Sequence, residues 1–152
     1  MKYNFSKYQG IGNDFIIFDA RGNSLNNLFT ENKNNFIQHL CNRNFGIGAD
    51  GIILILDSKN KCFVKMRIFN SDGSEPEMCG NGIRCLIAFL NDNYEIKDKP
   101  AIRIETKAGL IITSIDANEN IKVSMGDPIL SPEDIPTKLL MNNLTVPNGK
   151  IQ

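Results

Sequence analysis

The chain has 152 residues, enough for one domain with a buried core, and its 41% hydrophobic and 22% charged residues are typical of a globular protein. Seventeen Lys and Arg residues balance seventeen Asp and Glu residues, so the net charge gives no basis for binding nucleic acid or an anionic membrane. The chain shows neither a signal-peptide stretch nor an apolar run of membrane-spanning length, so we expect a cytoplasmic protein.

The first predicted elements are two short strands and a helix. Tyr3–Tyr8 alternates loosely in polarity and Phe15–Phe18 is a compact apolar run, and both patterns predict strands. Thr30 suits the N-cap of a helix from about Glu31 to Asn42. The apolar face of this helix is formed by Phe36, Ile37, Leu40 and Cys41.

The next elements are two strands and a second helix. Ile52–Leu56 is a candidate for a buried strand. Cys62–Phe69 alternates, with its apolar residues from Cys62 onward on one face and basic residues on the other. A strongly apolar segment then predicts a buried helix that opens near Gly80–Gly82 and ends near Asn91.

Three further strands are predicted at Ala101–Thr106, Leu110–Ile115 and Ile121–Met125. Helices set among mostly antiparallel strands indicate an α+β domain, which we assign to residues 1–127. The remainder, residues 128–152, is rich in proline and has little apolar periodicity, so we interpret it as a connector.

The four cysteines are predicted to be free thiols. Cys41, Cys62, Cys79 and Cys85 have no spacing typical of a disulfide framework, and the expected compartment is reducing. The sequence has no Cys-x-x-Cys pair and a single histidine, His39, so we expect no metal site. All the cysteines except Cys79 are interpreted as packing residues on apolar faces, and His39 as a surface or packing residue.

A dinucleotide-binding pattern occurs at Gly46–Gly51, whose sequence Gly-Ile-Gly-Ala-Asp-Gly matches G-x-G-x-x-G. That fingerprint functions when it follows a strand and opens a helix, so that a pyrophosphate meets the helix N-terminus. Here the pattern follows a predicted helix and precedes a strand. We therefore interpret these glycines as a helix C-cap and a tight turn.

Two loops at strand ends combine glycine with polar side chains. Gly10–Phe15 allows close approach of a ligand and offers Asn13 as both donor and acceptor. Phe69–Ser74 places Asn70 at the end of a long strand, where a rigid scaffold favours ligand contacts. Both loops are also rich in turn formers. Local chemistry favours a simple turn at the first loop and does not decide at the second.

Cys79 is the strongest candidate for a functional residue. If the following helix opens at Gly80–Gly82, the sulfur lies where unpaired amide N–H groups and the helix dipole favour an anion. The same amides can hold a carboxylate beside the sulfur, and the glycines remove side chains that would block it. A cysteine is more often a buried apolar residue, but a Gly-Asn-Gly flank at a helix start does not suit a core position.

Several segments together resemble the diaminopimelate epimerase family, in the family's order and spacing and over nearly the whole chain. The most specific is the Cys-Gly-Asn-Gly block that follows Asn-Ser-Asp-Gly. The segments that carry the resemblance are Lys7–Phe15, Asn42–Gly51, Arg67–Cys85, Thr106–Gly109 and Met125–Pro128.

The resemblance implies a cofactor-independent epimerase that interconverts LL- and meso-diaminopimelate in lysine and peptidoglycan-precursor biosynthesis. It implies two similar domains, each a mixed, mostly antiparallel sheet wrapped around a central helix, and a homodimer of the full-length enzyme. The site residues that it implies are Cys79 as a catalytic thiol, with Asn13, Asn70, Gly80 and Asn81 binding the substrate. Some family members have a substrate-contacting glutamine where this chain has Gly51, so that contact is not transferred.

The family's mechanism uses two cysteines, one in each domain, which exchange the roles of base and acid. No second Cys-Gly-Ser-Gly-type block occurs in this chain. Cys85 lies in the same predicted helix as Cys79 and cannot face it across a substrate. We therefore expect the chain to carry only the first thiol, with its connector leading toward a missing C-terminal domain.

Two alternatives remain open from the sequence. A related epimerase or racemase of the same superfamily, such as the proline racemase-like and phenazine-biosynthesis-like isomerases, would act on a different substrate. A catalytically inactive, truncated fragment would share the motifs without performing the reaction.

Overall fold

The computed structural model describes residues 2–22, 25, 29 and 33–128, which form seven strands and two helices. The elements are β1 Ser6–Gly10, β2 Asn13–Asp19, α1 Lys33–Cys41, β3 Gly51–Leu56, β4 Val64–Asn70, α2 Gly80–Tyr94, β5 Ile102–Thr106, β6 Gly109–Ile115 and β7 Ile121–Val123. This order confirms the predicted α+β class. Thr30 and the predicted connector beyond Pro128 lie outside the described residues.

The predicted elements are present, but some of their ends differ. The first strand begins at Ser6 rather than Tyr3, because its pairing with β2 starts at the Ser6–Ile17 pair. The predicted strand from Cys62 begins only at Val64, after a turn in which Lys61 has a left-handed φ of 54°. The placement of Cys62 on the buried strand face is therefore wrong.

Helix α2 continues to Tyr94 instead of ending near Asn91. Glu95 closes the helix in the left-handed conformation, with φ 48° and ψ 56°, and its N–H donates to the Asn91 carbonyl at 3.0 Å. Glycine is the usual residue at such a C-terminal cap. Because a glutamate occupies the position here, no glycine marks the stop in the sequence.

The strands form one sheet in the order β1-β2-β3-β4-β5-β6-β7. Neighbouring strands are antiparallel except for two parallel pairs, β2–β3 and β4–β5. Helix α1 joins the strands of the first parallel pair, and α2 joins those of the second. The mixed, mostly antiparallel sheet expected from the sequence is confirmed.

The two helices pack on opposite faces of the sheet. Crossovers between parallel strands are almost always right-handed. Both crossovers lead to the next strand in the same direction across the sheet, but β4 runs antiparallel to β2. Two right-handed connections therefore put α1 and α2 on opposite sides of the sheet. The buried side chains accordingly form two clusters. The inner cluster joins α2 to one face of the sheet and includes Phe15, Ile17, Ile53, Ile68, Leu86 and Ile87. The outer cluster joins α1 to the other face and includes Ile16, Phe18, Ile37, Cys41, Ile52 and Leu54.

Helix α2 is the centre of the inner cluster. It contacts β1 and β7, the two edge strands, as well as β2, so the sheet curls around the helix. Leu86 and Ile87 on α2 are completely buried. Tyr8 on β1 donates a hydrogen bond of 2.6 Å to Asp92 near the end of the helix. The expected central helix is confirmed.

The outer cluster explains the unbroken apolar strands. Ile37 and Cys41 of α1 pack against alternate residues of β2 and β3, and the other residues of these strands face α2. A strand covered on both faces needs apolar residues at every position. Phe15–Phe18 and Ile52–Ile55 therefore show no alternation.

Neither α1 nor α2, the helices of the described ranges, has the length and apolarity required to cross a bilayer.

Leu86→Ala should lower the free energy of unfolding by about 2–5 kcal/mol, because the buried leucine loses its contacts and leaves a cavity. Leu110 on β6 is 53% exposed, so Leu110→Ala is a matched control with an expected change of about 0.5 kcal/mol or less. Urea denaturation followed by circular dichroism measures both variants. Equal losses at the two positions would show that α2 is not the buried centre of the fold.

Candidate active site at the start of helix α2

The predicted site residues lie at one end of the sheet. Strands β2 and β3 begin there and β4 ends there, since Phe15 pairs with Gly51 and Gly51 pairs with Asn70. Helix α2 begins at the same end. A Cβ placed on Gly82 would lie 2.8 Å from Cδ1 of Ile68, so the first turn of the helix sits directly on β4.

Cys79 is the N-cap of α2, in an extended conformation with φ −145° and ψ 117°. Its Sγ accepts a hydrogen bond of 3.4 Å from the Gly82 N–H, and its carbonyl accepts one of 2.9 Å from the Ile83 N–H. The half-buried thiol packs against the inner cluster. The backbone of the first turn therefore holds the sulfur at the helix start.

Two amide groups beside the sulfur are free. The N–H groups of Gly80 and Asn81 have no hydrogen-bond acceptor among the described residues. The leading N–H groups of a helix have no partners inside the helix, and the first turn of α2 carries no acidic side chain to neutralise the dipole. Two free donors next to a thiol suit a carboxylate bound beside the sulfur.

Asn13 and Asn70 lie on the inner face of the sheet, the face that α2 covers. Asn13 stands two residues before Phe15, and Asn70 stands two residues after Ile68, and residues two apart on a strand share a face. Phe15 and Ile68 both belong to the inner cluster. The Asn70 Nδ2 donates to the Ser74 hydroxyl at 2.9 Å, which orients its amide.

The β1–β2 hairpin rests on the first turns of α2. Gly10 pairs with Asn13 at the hairpin. A Cβ placed on Gly10 would lie 3.6 Å from the Asn81 carbonyl oxygen, 3.7 Å from Arg84 Nη2 and 3.5 Å from Cys85 Sγ. The structure therefore brings Asn13 next to the helix start that carries Cys79. The sequence analysis did not identify Arg84, although its spacing from Asn81 places both on one helix face.

Gly51 is buried on the inner face, between Phe15 and Asn70. A Cβ on this glycine would lie 2.4 Å from the Phe69 carbonyl oxygen, so a side chain does not fit without movement of β4. The close approach of β3 and β4 thus accounts for the glycine at this position, where some family members have a substrate-contacting glutamine.

The Gly46–Gly51 segment closes helix α1, as the sequence analysis predicts. The Gly46 N–H donates to the Asn42 carbonyl at 2.9 Å, and the N–H groups of Ile47 and Gly48 donate to the Leu40 carbonyl. Because these donors are used within the turn, they are not available to a phosphate. The interpretation as a helix C-cap and tight turn is confirmed.

An ion-pair cluster holds the loops around the site, and the sequence analysis missed it. The Arg43 guanidinium contacts the Asp14 carboxylate at 2.8 and 3.2 Å and the Asp50 carboxylate at 2.8 Å. Lys7 lies 3.1 Å from Asp14, and the Asp50 carbonyl accepts from the Ser71 N–H at 3.0 Å. The cluster thus joins the start of β2 to the loop after β4. Local sequence contains no sign that these charges meet.

Met125 borders the free amides. Strand β7 ends at Val123, so Met125 lies beyond the strand that was predicted to include it. Its side chain is 58% exposed, and its Sδ lies 3.5 Å from the position that a Cβ would take on Gly80. The sequence gives no signal for this contact, because it depends on how the sheet brings β7 back to α2.

The other thiols are packing residues, with one exception. Cys41 and Cys85 are buried, and burial raises the pKa of each thiol to about 11. Cys62 is half-buried, and its Sγ lies 3.6 Å from the Asn60 carbonyl. His39, interpreted as a surface or packing residue, is exposed on α1. In the described ranges, no three His, Cys, Asp or Glu side chains gather where they could hold a metal ion.

A groove of about 750 Å³ lies on the other face of the sheet from α2 and is lined by charged side chains. Two of its basic residues form ion pairs, Arg67 with Glu75 at 2.8 Å and Lys65 with Glu105 at 3.0 Å. A third, Lys107, donates to the Glu75 carbonyl at 3.4 Å. The lining of the groove includes none of the predicted site residues.

The sequence of this chain is similar to those of known proteins. The family model described as diaminopimelate epimerase matches residues 5–131. A protein named diaminopimelate epimerase from Prochlorococcus marinus strain NATL1A is 80% identical over 151 residues, which cover 99% of this chain and 53% of that protein. The chain therefore spans about half the length of this curated relative.

Two solved structures are similar in fold. A hydroxyproline epimerase from Agrobacterium vitis, with bound trans-4-OH-L-proline, has a TM-score of 0.55 at 18% identity, covering 72% of this chain and 36% of that one. A Bacillus anthracis phenazine biosynthesis protein of the PhzF family has a TM-score of 0.54 at 21% identity, covering 80% and 38%. At these identities the likeness shows the shared fold alone.

Asp14→Asn should flatten the acid side of the stability profile. Hydrogen bonds from Arg43 hold the pKa of the Asp14 carboxyl well below its ordinary value. A depressed pKa stabilises the fold above the unfolded-state pKa of about 4, and this contribution is lost as the pH falls through the folded-state value. Urea unfolding at several pH values between about 7 and 2 measures the slope.

The wild type should lose stability below about pH 4 more steeply than Asp14→Asn does. Asp98→Asn changes an exposed carboxylate between α2 and β5, and it should retain the wild-type slope. Identical profiles for Asp14→Asn and the wild type would contradict the role of the cluster.

Proposed function

The chain belongs to the diaminopimelate epimerase family, and on that premise we propose that it carries one half of an active site that interconverts LL- and meso-diaminopimelate. The reaction proceeds by acid–base chemistry and needs no cofactor. The observation that carries the proposal is the position of Cys79 at the N-cap of α2, beside the free N–H groups of Gly80 and Asn81.

The α-carboxylate of the substrate binds to the start of α2. The Gly80 and Asn81 N–H groups donate to its oxygens, and a charged acceptor makes these hydrogen bonds stronger than neutral ones. The positive end of the helix dipole adds to the attraction. A carboxylate held there places its neighbouring α-carbon close to the Cys79 sulfur, which is the atom that must reach the α-proton.

Asn13 and Asn70 bind the remaining polar groups at the α-carbon. Both lie on the face of the sheet that α2 covers, at the end where the helix begins. A side-chain amide offers a carbonyl that accepts from an ammonium group and an NH₂ that donates to a carboxylate. The two asparagines can therefore fix the amino acid on either side of the cysteine.

Cys79 transfers the α-proton. As a thiolate it takes the proton, so that an S–H bond forms while the C–H bond breaks and the electron pair moves onto the α-carbon and into the carboxylate. An acid on the opposite face then donates a proton to that carbon, which inverts the configuration. In the reverse direction the Cys79 thiol is the acid, and the opposite group is the base.

The acid on the opposite face is placed outside this chain. Cys85 is buried in the same helix as Cys79, and Cys41 is buried in the outer cluster, so neither suits the role. The chain spans about half the length of its NATL1A relative, and we assign the second acid to the other half of such a protein. Residues 1–127 then form the first domain, and residues 128–152 connect it to the second.

The competing functions are an epimerase for another amino acid and an inactive fragment. Diaminopimelate is favoured because the relative that is 80% identical is named diaminopimelate epimerase, whereas the hydroxyproline epimerase and the phenazine biosynthesis protein are similar only in fold. The homodimer and the cytoplasmic location stay predictions, which sedimentation of the full-length enzyme and cell fractionation would check.

The isolated chain should epimerise diaminopimelate at a rate at least about 100-fold below that of the NATL1A relative, because it supplies only one of the two groups. Incubation of LL-diaminopimelate with each protein in D₂O, followed by NMR of the α-proton, measures exchange and epimerisation together. Epimerisation by the isolated chain at the relative's rate would contradict the half-site proposal.

A chimera tests the role of Cys79 directly. This chain is joined to the part of the NATL1A relative that lies beyond the matched 151 residues. The chimera should be active, and Cys79→Ser should lower its rate by about 10²–10⁴-fold, because a hydroxyl is a poor acid–base group here. Cys62→Ser, a change outside the inner cluster, should retain the rate. A fully active Cys79→Ser chimera would refute the proposal.

A further inference from the structure

Arg84 contacts the side chain of Asn81 one turn into α2. Its Nη2 donates a hydrogen bond to the Asn81 Oδ1. The same nitrogen would lie 3.7 Å from a Cβ placed on Gly10, so the guanidinium fills the space between the hairpin and the helix. Arg84 is half-buried, as is Asn81, and neither belongs to the apolar clusters. The contact is a hydrogen bond between two half-buried polar side chains.

A guanidinium group decides which way an asparagine amide faces. Arginine has five N–H donors and no acceptor, whereas the amide has an acceptor oxygen on one side and a donor NH₂ on the other. Only the Oδ1 of Asn81 can face Arg84 favourably. The Nδ2 must then point away, and it has no acceptor among the described residues.

We propose that Arg84 is a positioning residue that fixes the Asn81 side chain as a hydrogen-bond donor toward the substrate carboxylate. This inference rests on the proposed function of the α2 start. With Arg84 in place, the carboxylate meets the two free backbone N–H groups and the Asn81 NH₂ together. A flipped amide would instead present its oxygen to the carboxylate, and two acceptors repel each other.

The direct alternative is that the Arg84 charge attracts the carboxylate itself. The two roles differ in their dependence on Asn81. If Arg84 acts through Asn81, its replacement has no further effect once the Asn81 side chain has been removed. If Arg84 attracts the ligand directly, its replacement weakens binding by the same factor whether Asn81 is present or not.

The experiment measures protection of Cys79 by meso-diaminopimelate. The chain is alkylated with iodoacetamide over a range of diaminopimelate concentrations, and modified Cys79 is quantified by mass spectrometry. The variants are Arg84→Met, Arg84→Gln, Arg84→Lys, Asn81→Ala and the double variant Arg84→Met with Asn81→Ala. Lysine is a donor only, like arginine, whereas glutamine also accepts and leaves the direction of the Asn81 amide open.

Arg84→Met and Arg84→Gln should each raise the half-protecting concentration about fivefold, because the amide then populates several orientations of which one donates. The half-protecting concentration of Arg84→Lys should stay within about twofold of the wild-type value. The rate at which Cys79 of this variant is alkylated without diaminopimelate should equal the wild-type rate. In the Asn81→Ala background, Arg84→Met should have no further effect. If Arg84→Met does not fold, the double variant Arg84→Gln with Asn81→Ala takes its place, and Arg84→Gln should likewise have no further effect once the Asn81 side chain is absent.

Half-protecting concentrations for Arg84→Met and Arg84→Gln within about twofold of the wild type would overturn the positioning role. An undiminished effect of Arg84→Met in the Asn81→Ala background would overturn it as well and would assign Arg84 to direct attraction. A wild type that diaminopimelate does not protect at all would instead refute the proposed carboxylate site, which separates the two failures.

Discussion

The start of a helix leaves backbone N–H groups without partners inside the helix, and the functional architecture of this chain depends on where those groups are placed. At the start of α2, the Cys79 sulfur accepts from the Gly82 N–H, and the Cys79 carbonyl accepts from the Ile83 N–H. Gly80 and Asn81 keep theirs free. A thiol and two free N–H donors thus arise from one local feature, a cysteine N-cap followed by Gly-Asn-Gly.

The topology puts this feature at the centre of a ring of loops. Because β4 leads into α2 and the sheet curls around the helix, the ends of strands from both edges gather at its first turn. Asn13 and Asn70 come from strands that do not neighbour each other, and the Arg43 ion-pair cluster fixes the segments beside them. The inner core holds the helix, and the cluster holds the loops, so the site combines a buried scaffold with surface electrostatics.

Much of the fold follows from local pattern. The apolar runs at Phe15–Phe18 and Ile52–Leu56 mark strands buried on both faces, and Gly-Asn-Gly marks the start of α2. The end of α2 was not predictable, because a glutamate rather than a glycine adopts the left-handed conformation there. The order of elements also identified Gly46–Gly51 as a helix cap and tight turn, because a dinucleotide site would have to follow a strand and open a helix.

The contacts that organise the site were harder to predict, for a physical reason. Arg43 meets Asp14 and Asp50 only after β2 and β3 have paired, and Met125 reaches Gly80 only after β7 has returned to the helix. Such contacts depend on the register of the sheet, which a single sequence does not display. Arg84 is different, because its spacing of three from Asn81 is a helical contact that the sequence contains.

In the proposed mechanism, the free amides at the start of α2 bind the substrate carboxylate beside Cys79. A backbone-amide NMR titration of the chain with meso-diaminopimelate tests this binding, because it follows each N–H group separately. We expect the Gly80 and Asn81 signals to shift most and to saturate, while those of Gly46 and Gly48, already bonded in the cap of α1, stay in place. Stationary Gly80 and Asn81 signals, with saturable shifts elsewhere in the chain, would contradict it.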